Sequence, residues 1–289
     1  MTILDERFLV PPPCDPSDPA EGLYSFERTA PITAEVGPAE RSAFAALGYL
    51  AVADVYDADQ IASVLDGLAA VARAPDEHTH LELEAWAQDG PNGADLTKAS
   101  GEAVLDHARK LFRFVHADER LHRAAHDPAI LGIVADLLGS EPKLFQDMAL
   151  LKPPGGGREK PWHQDKAYFH IGVDEPVVGV WIALDDATCA NGCMHVLPGS
   201  HLGGPARHVH DRDWQICDSW LEPGLDTAVP LPAGSALFFD GFLRHGTPAN
   251  RTRTRRRAVQ FHYARGDVVE TASAEHERIY GSGSSEGVC

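Results

Sequence analysis

The feature that most restricts the fold is a change of pattern near residue 143. From there on, short apolar runs alternate with glycine and proline, and each run is long enough for one strand. These runs are LFQDMALLK, VVGVWIAL, CMHVLPGS, SALFFD and AVQFHY. Runs of this length and spacing predict a β-sandwich or barrel.

The part of the chain before this change favours helices. Apolar residues recur at helical spacing in 38–52, 57–74 and 127–140. Asp57 is placed to cap the second of these helices, and Gly139 lies where the third would end. We therefore expect a helical layer that supports the β structure.

We predict a single domain over residues 1–289. The segment 76–100 has no helical period and contains proline and glycine, so we expect a loop there. The predicted parts are an irregular lead-in over 1–35, mostly helical support over 36–140, the β core over 141–265 and a C-terminal tail over 266–289.

The charge balance excludes some partners. A formal net charge of −18 disfavours nucleic acid and anionic membranes as general binding partners. No apolar run reaches the roughly 20 residues that a membrane-spanning helix needs, and the N-terminus does not resemble a signal peptide. We therefore expect a cytoplasmic protein that acts on a small molecule. The sequence does not determine its oligomeric state.

A histidine and a carboxylate lie two residues apart in PWHQDKAY, residues 161–168. If the segment is a strand, His163 and Asp165 point to the same face and can present their side chains to one metal ion. A single pair of this kind is weak evidence, because a chain with 15 histidines and 43 acidic residues contains such pairs by chance. The alternative is two polar residues that share a strand.

A third candidate ligand, His245, follows the apolar run SALFFD. Two histidines and one carboxylate form a facial triad, which leaves coordination positions open on non-haem Fe(II). Such a site needs a chelating, electron-rich co-substrate. We therefore interpret His163, Asp165 and His245 as candidate ligands of one metal ion.

The arginine-rich segment RTRTRRR, residues 251–257, can supply a partner for that co-substrate. The guanidinium of Arg256 can bind a carboxylate through two parallel hydrogen bonds. Strand alternation places Gln260 and His262 on the same face as Arg256, with the apolar residues between them on the other face. A solvated loop explains three other arginines better: Arg251, Arg253 and Arg255.

Three segments together resemble the phytanoyl-CoA dioxygenase family of Fe(II)- and 2-oxoglutarate-dependent oxygenases. They are KPPGGGREKPWHQDKAYF, VWIALDDATCANGCMHVLPGSH and RHGTPANRTRTRRRAVQFHY, and the resemblance runs from about Gly48 to Tyr263. The combination is specific, although each piece alone is not. It implies a mainly β fold with α, a double-stranded β-helix (cupin-like jelly roll) supported by N-terminal helices.

The resemblance also implies roles for single residues. His163, Asp165 and His245 would hold iron, and Arg256, eleven residues after the distal histidine, would bind the far carboxylate of 2-oxoglutarate. Four further residues match positions that contact or flank the co-substrate in similar enzymes: Thr247, Trp181, Gln146 and Lys110. Tyr168 is predicted to line the substrate pocket, the alternative being that it fills the core.

The implied activity uses Fe(II), 2-oxoglutarate and O₂ to hydroxylate a C–H bond of a small molecule, with release of succinate and CO₂. Asp165 disfavours halogenation, because similar halogenases have a small residue at that position. Desaturation, ring formation and epimerisation stay open. Two other classes also stay open: a zinc-dependent hydrolase or isomerase on a cupin-like barrel, and an inactive binding module of the same fold.

Overall fold

A computed structural model describes residues 22–88 and 96–282. The predictions for the ends of the chain therefore lie partly outside the described residues. The helices are α1 (Pro38–Leu47), α2 (Ala58–Arg73), α3 (Ala85–Gln88), α4 (Gly101–Leu105), α5 (Glu119–Ala125), α6 (Pro128–Leu138) and α7 (Ser273–Tyr280).

The strands lie in both halves of the chain. They are β1 (Ile32–Thr33), β2 (Tyr49–Val52), β3 (His80–Leu83), β4 (Ala108–Phe112), β5 (Pro142–Lys152), β6 (Lys160–His163), β7 (Val177–Ala183), β8 (Met194–Val196), β9 (Val209–His210), β10 (Trp214–Gln215), β11 (Thr227–Val229), β12 (Ala236–Asp240), β13 (His245–Thr247) and β14 (Arg256–Arg265).

Two sheets form the jelly roll. The larger has eight strands in the order β1-β2-β12-β7-β14-β5-β4-β3, and the smaller has four in the order β11-β8-β13-β6. The long strand β14 lies inside the larger sheet, antiparallel to β5 on one side and to β7 on the other. The predicted mainly β fold is confirmed.

Helices cover the outer face of the larger sheet. Leu68 of α2 and Val134 of α6 belong to one buried cluster with residues of the sheet, including Phe261 and Tyr263 of β14. Alternation along β14 turns the intervening residues, such as Gln260, toward the smaller sheet. The predicted helical layer and the predicted alternation are both confirmed.

The helix ends follow local chemistry. Asp57 accepts a hydrogen bond from the Gln60 backbone N–H and caps α2 as predicted, and Gln60 completes a capping box. Helix α6 ends at Gly139, which has a φ of 66° and closes the helix in the left-handed conformation.

The prediction of a helix over 38–52 is wrong after Leu47. Gly48 adopts a φ of 81° and its N–H closes α1 on the Phe44 carbonyl. The next four residues form the buried strand β2, which pairs with β12. Pairing in the larger sheet therefore overrides the helical period of this segment.

The loop predicted over 76–100 contains regular structure as well. Strand β3 pairs with β4 at the edge of the larger sheet, and α3 follows it. Residues 89–95 of the predicted loop lie outside the described residues. Over the described ranges, no helix is long and apolar enough to cross a membrane.

Asn250 fixes the loop that leads from β13 to β14. Its side-chain NH₂ donates to the carbonyls of Lys152 at 3.0 Å, Pro153 at 3.2 Å and Thr254 at 2.8 Å. Its oxygen accepts from the backbone N–H and the hydroxyl of Thr252. The side chain is buried, so each bond is shielded from water.

We predict that Asn250→Ala lowers the free energy of unfolding by about 2–3 kcal/mol, because buried backbone carbonyls lose their donor. Urea denaturation followed by circular dichroism measures this change. Thr254→Ala, at an exposed position of the same loop, should cost less than about 0.5 kcal/mol. Equal losses in the two variants would contradict the structural role of Asn250.

Candidate metal centre

Three buried side chains converge between the two sheets. The His163 Nε2 lies 3.2 Å and the His245 Nε2 lies 3.5 Å from Asp165 Oδ1. All three ligand atoms lie within 4.8 Å of one another, and over residues 22–88 and 96–282 they form the only such group. The structure thus brings together the three residues that the sequence predicts as metal ligands.

The structural reason for this convergence differs in part from the prediction. His163 ends β6, but Asp165 begins a short 3₁₀ turn, Asp165–Tyr168, so the two residues do not share a strand. His245 is brought close because it is the register partner of His163 across the pairing of β13 with β6. Strand pairing joins the histidines, and the turn adds the carboxylate.

Gln164 holds this turn in place. Its NH₂ donates to the Gly204 carbonyl at 2.9 Å and the Phe242 carbonyl at 2.6 Å. Its oxygen accepts from the Ala206 backbone N–H at 2.7 Å. Because the side chain is fully buried, the residue between the two candidate ligands anchors the turn to two loops.

Backbone carbonyls orient both imidazoles. The His163 Nδ1 lies 2.8 Å from the Pro161 carbonyl, and the His245 Nδ1 lies 2.9 Å from the Leu243 carbonyl. A carbonyl can only accept, so each Nδ1 is the protonated nitrogen and each Nε2 offers a lone pair toward Asp165. Burial, and then the nearby His245, lower the pKa of His163 to about 3. Its ring is therefore neutral, as a ligand must be.

Asp165 is held as a carboxylate. Burial raises its pKa, but the neighbouring His245 and His262 lower it well below its ordinary value. Two imidazoles and one carboxylate, all buried and facing one point, fit a divalent transition metal and leave room for further ligands.

Arg256 provides the second unusual feature of the site. Its side chain is 2% exposed, and no carboxylate of the described residues lies within 4.0 Å of it. Its Nη1 donates to the Leu150 carbonyl at 3.1 Å, and its guanidinium carbon lies 5.4 Å from the centre of the Trp181 ring. Two buried donors, Arg256 Nε and Trp181 Nε1, have no acceptor among the described residues. A buried cation with spare donors is suited to an anionic ligand.

The neighbours of Arg256 have their own partners. Arg255 donates to both oxygens of Asp106 at 2.6 Å, and Arg257 binds both oxygens of Asp185 at 2.7 and 2.8 Å. Arg255 therefore forms an ion pair and is not simply a solvated loop residue. Of the three consecutive arginines, Arg256 is the one that faces the interior.

A cavity connects these groups. Its walls include the two histidines together with Thr247, Arg256 and Gln260. The basic residues along its walls are Arg109, Lys110, Lys152, Arg158, Lys160 and Arg256. Glu159 is the one acidic residue among the described lining residues, so basic side chains predominate along these walls although the whole chain carries a net charge of −18.

The other predicted site residues occupy two places. Lys110 and Thr247 line this cavity, and Trp181 lies beside Arg256. Gln146 and Tyr168 instead line a neighbouring open pocket, which also contains Phe112, Phe145 and Phe169. The edge of the Tyr168 ring faces the His163 ring at a centroid distance of 5.7 Å, so this pocket begins beside the candidate metal centre.

Sequence reasoning assigned no role to two residues that contact Asp165. Gln260 Nε2 lies 3.1 Å and His262 Nε2 lies 2.7 Å from Asp165 Oδ2. Strand alternation predicts that both side chains lie on the inner face of β14. It does not predict their contact with Asp165, because the two segments are far apart in the chain.

Comparison with known proteins shows that most of the chain matches one protein family. The family model described as phytanoyl-CoA dioxygenase (PhyH) matches residues 44–258, about three quarters of the chain. A probable phytanoyl-CoA dioxygenase of Caenorhabditis elegans is 32% identical over 163 residues, which cover 51% of this chain and 52% of that protein. The peroxisomal phytanoyl-CoA dioxygenase of Homo sapiens is 29% identical over 175 residues, covering 56% and 52%. The matched region thus spans about half the length of these relatives.

Solved structures of similar fold cover most of the chain. The α-ketoglutarate-dependent carbocyclase SnoK from nogalamycin biosynthesis has a TM-score of 0.62 at 21% identity, covering 84% of this chain and 89% of that one. EctD from S. alaskensis, solved with 2-oxoglutarate and 5-hydroxyectoine, has a TM-score of 0.60 at 20% identity, covering 83% of each chain. These likenesses show a shared fold.

The unpaired state of Arg256 predicts an unusual mutational response. In the absence of ligands, Arg256→Met should leave the free energy of unfolding unchanged or raise it by about 1 kcal/mol, since a buried, uncompensated charge is removed. Arg257→Met should lower it by about 1–3 kcal/mol, because Asp185 loses its two-bond partner. Urea denaturation of both variants measures the contrast. A loss in Arg256→Met as large as that in Arg257→Met would contradict the assignment of Arg256 as an unpaired cation.

Proposed function

Because the chain belongs to the phytanoyl-CoA dioxygenase family, we propose that it is an Fe(II)- and 2-oxoglutarate-dependent dioxygenase that hydroxylates a C–H bond of a small molecule. The observation that supports this best is the position of Arg256. A buried guanidinium without a carboxylate partner lines the same cavity as His163 and His245. A metal chelator with a second, distant carboxylate can bind a metal at one end of that cavity and Arg256 at the other.

His163, Asp165 and His245 would hold iron through Nε2, Oδ1 and Nε2. Iron bound there would supply the activation of O₂ that accompanies the oxidative decarboxylation of 2-oxoglutarate to succinate and CO₂. The backbone carbonyls behind each Nδ1 fix the tautomer of the imidazoles and aim both rings at one point. The contribution of the chain is thus to position the groups that react.

Arg256 and Thr247 would bind the far carboxylate of 2-oxoglutarate. Both are buried, and both line the cavity. The two parallel N–H donors of a guanidinium match the geometry of a carboxylate, and in a site shielded from water such bonds are strong. Lys110 would add positive charge to the same cavity. The Trp181 ring would pack against the guanidinium.

The substrate would enter through the pocket beside Tyr168. That pocket is open and lined by aromatic rings together with polar and charged side chains, whereas most of the charged residues that line the cavity with Arg256 are basic. The cavity with Arg256 therefore suits the dianionic co-substrate, and the open pocket suits a substrate with both apolar and polar parts. Retention of a carboxylate at residue 165 favours hydroxylation over halogenation, and substrate placement would decide between hydroxylation and desaturation, ring formation or epimerisation.

The alternatives explain Arg256 less well. A zinc-dependent hydrolase or isomerase on the same barrel requires no buried guanidinium, and an inactive binding module requires neither it nor an intact ligand set. A small-molecule substrate also agrees with relatives such as EctD, which was solved with 5-hydroxyectoine. A cytoplasmic location stays a prediction, since the human relative is named as peroxisomal.

We predict that His163→Ala, Asp165→Ala and His245→Ala each reduce Fe(II)-dependent formation of succinate from 2-oxoglutarate by at least about a hundredfold, because each removes a metal ligand. Mass spectrometry of succinate measures this reaction and can detect slow turnover without added substrate. Arg253→Ala, an exposed change in the same arginine-rich segment, should stay within about twofold of wild type. Wild-type turnover in His245→Ala would overturn the metal assignment.

A separate prediction concerns Arg256. Arg256→Ala should weaken binding of 2-oxoglutarate by about tenfold to a hundredfold, since hydrogen bonds to a charged group are worth about 1.5–3 kcal/mol. Binding of pyruvate, a 2-oxo acid without the far carboxylate, should change less than about twofold on this argument. Isothermal titration calorimetry with Mn(II)-loaded protein measures both affinities. Equal weakening of the two ligands would show that Arg256 does not contact the far carboxylate.

A further inference from the structure

The two oxygens of Asp165 have different environments. Oδ1 faces the Nε2 atoms of His163 and His245 at 3.2 and 3.5 Å. Oδ2 lies 2.7 Å from the Nε2 of His262 and 3.1 Å from the Nε2 of Gln260. One oxygen is therefore turned toward the candidate metal position, and the other is bound to the larger sheet.

The two donors to Oδ2 are side chains of a strand that is paired on both edges. Gln260 and His262 lie two residues apart on β14, which is hydrogen-bonded along both edges to β5 and β7. Both side chains are buried, at 2% and 0% exposure. Because neither strand edge is free to move, the donors are fixed relative to the sheet and can restrain the turn that contains Asp165.

Aromatic rings fix the orientation of His262. Its ring lies 4.8 Å from that of Phe169, 6.0 Å from that of Phe145 and 6.1 Å from that of Phe239. Its Nδ1 has no hydrogen-bond partner among the described residues, whereas its Nε2 lies 2.7 Å from Asp165 Oδ2 and 3.3 Å from the Gln260 Nε2. The Nε2–H donates a hydrogen bond to Asp165, since a carboxylate can only accept.

A carboxylate can bind a metal ion through one oxygen or through both. Binding through both would fill a coordination position that a facial triad otherwise leaves open for a chelating 2-oxo acid. We propose that Gln260 and His262 are positioning residues: they retain Oδ2, restrict Asp165 to one-oxygen binding and so keep that position available. This inference rests on the proposed function, because it assumes a metal-bound 2-oxo acid.

The test uses Mn(II), which is stable in air, with 2-oxoglutarate and pyruvate as ligands. At saturating Mn(II), His262→Leu should weaken binding of both ligands by about tenfold, in the range found for residues that orient metal ligands. Gln260→Leu should change both in the same direction by a smaller factor. Isothermal titration calorimetry gives these affinities, and electron paramagnetic resonance of free Mn(II) gives the metal affinity.

His262→Gln is the matched control, because the glutamine NH₂ can take the place of the histidine Nε2. His262→Gln should bind both ligands with affinities within about threefold of those of the wild type. If His262→Leu does not fold, Gln260→Leu provides the same comparison. An equal loss of 2-oxoglutarate and pyruvate in the leucine variants differs from the expected result for Arg256→Ala, in which 2-oxoglutarate alone is affected.

Three results would overturn the inference: unchanged ligand affinities in folded leucine variants, a loss confined to 2-oxoglutarate, or a loss of Mn(II) binding equal to the loss of ligand binding. The last result would mean that Gln260 and His262 hold the metal site together instead of keeping a position open. Failure of the proposed function gives a different signal, namely no metal-dependent binding of 2-oxoglutarate in the wild-type protein.

Discussion

The hydrogen-bonded position of β14 inside the larger sheet is the constraint on which the site depends. Alternation along this one strand sends Phe261 and Tyr263 into the helical layer and turns Arg256, Gln260 and His262 toward the smaller sheet. The burial of the apolar face fixes the register, and a slip of one residue would exchange the two sets. The same pairing that builds the core therefore sets the distance between the candidate anion site and the candidate metal centre.

Buried charge is the second organising constraint. Most of the buried ionic groups have partners, such as Glu84, whose carboxylate binds Arg158 at 2.7 Å. Arg256 has no carboxylate partner within the described ranges, and burial lowers the pKa of its guanidinium to about 10. A buried charge without a partner lowers the stability of the ligand-free protein. Such a charge is useful where a ligand supplies the opposite charge on binding. The excess of basic residues around the cavity agrees with a dianionic ligand.

Sequence patterns predicted the layers and the candidate ligands, but several local features depended on tertiary contacts. The period of residues 38–52 could not show that Gly48 ends the helix and that the next residues pair with β12. The spacing of His163 and Asp165 suggested a shared strand, although a 3₁₀ turn anchored by Gln164 gives the same convergence. The contact of His262 with Asp165 joins segments 97 residues apart, which no local pattern encodes.

We propose that His163, Asp165 and His245 hold an iron ion to which 2-oxoglutarate binds as a chelator. Anaerobic titration of metal-free protein with Fe(II) and 2-oxoglutarate tests this arrangement, because the chelated 2-oxo acid produces a weak visible charge-transfer band. We expect a saturable band at one iron per chain and its absence in Asp165→Ala. A folded wild-type protein that binds Fe(II) and shows no band would mean that 2-oxoglutarate does not chelate an iron ion held by these three residues.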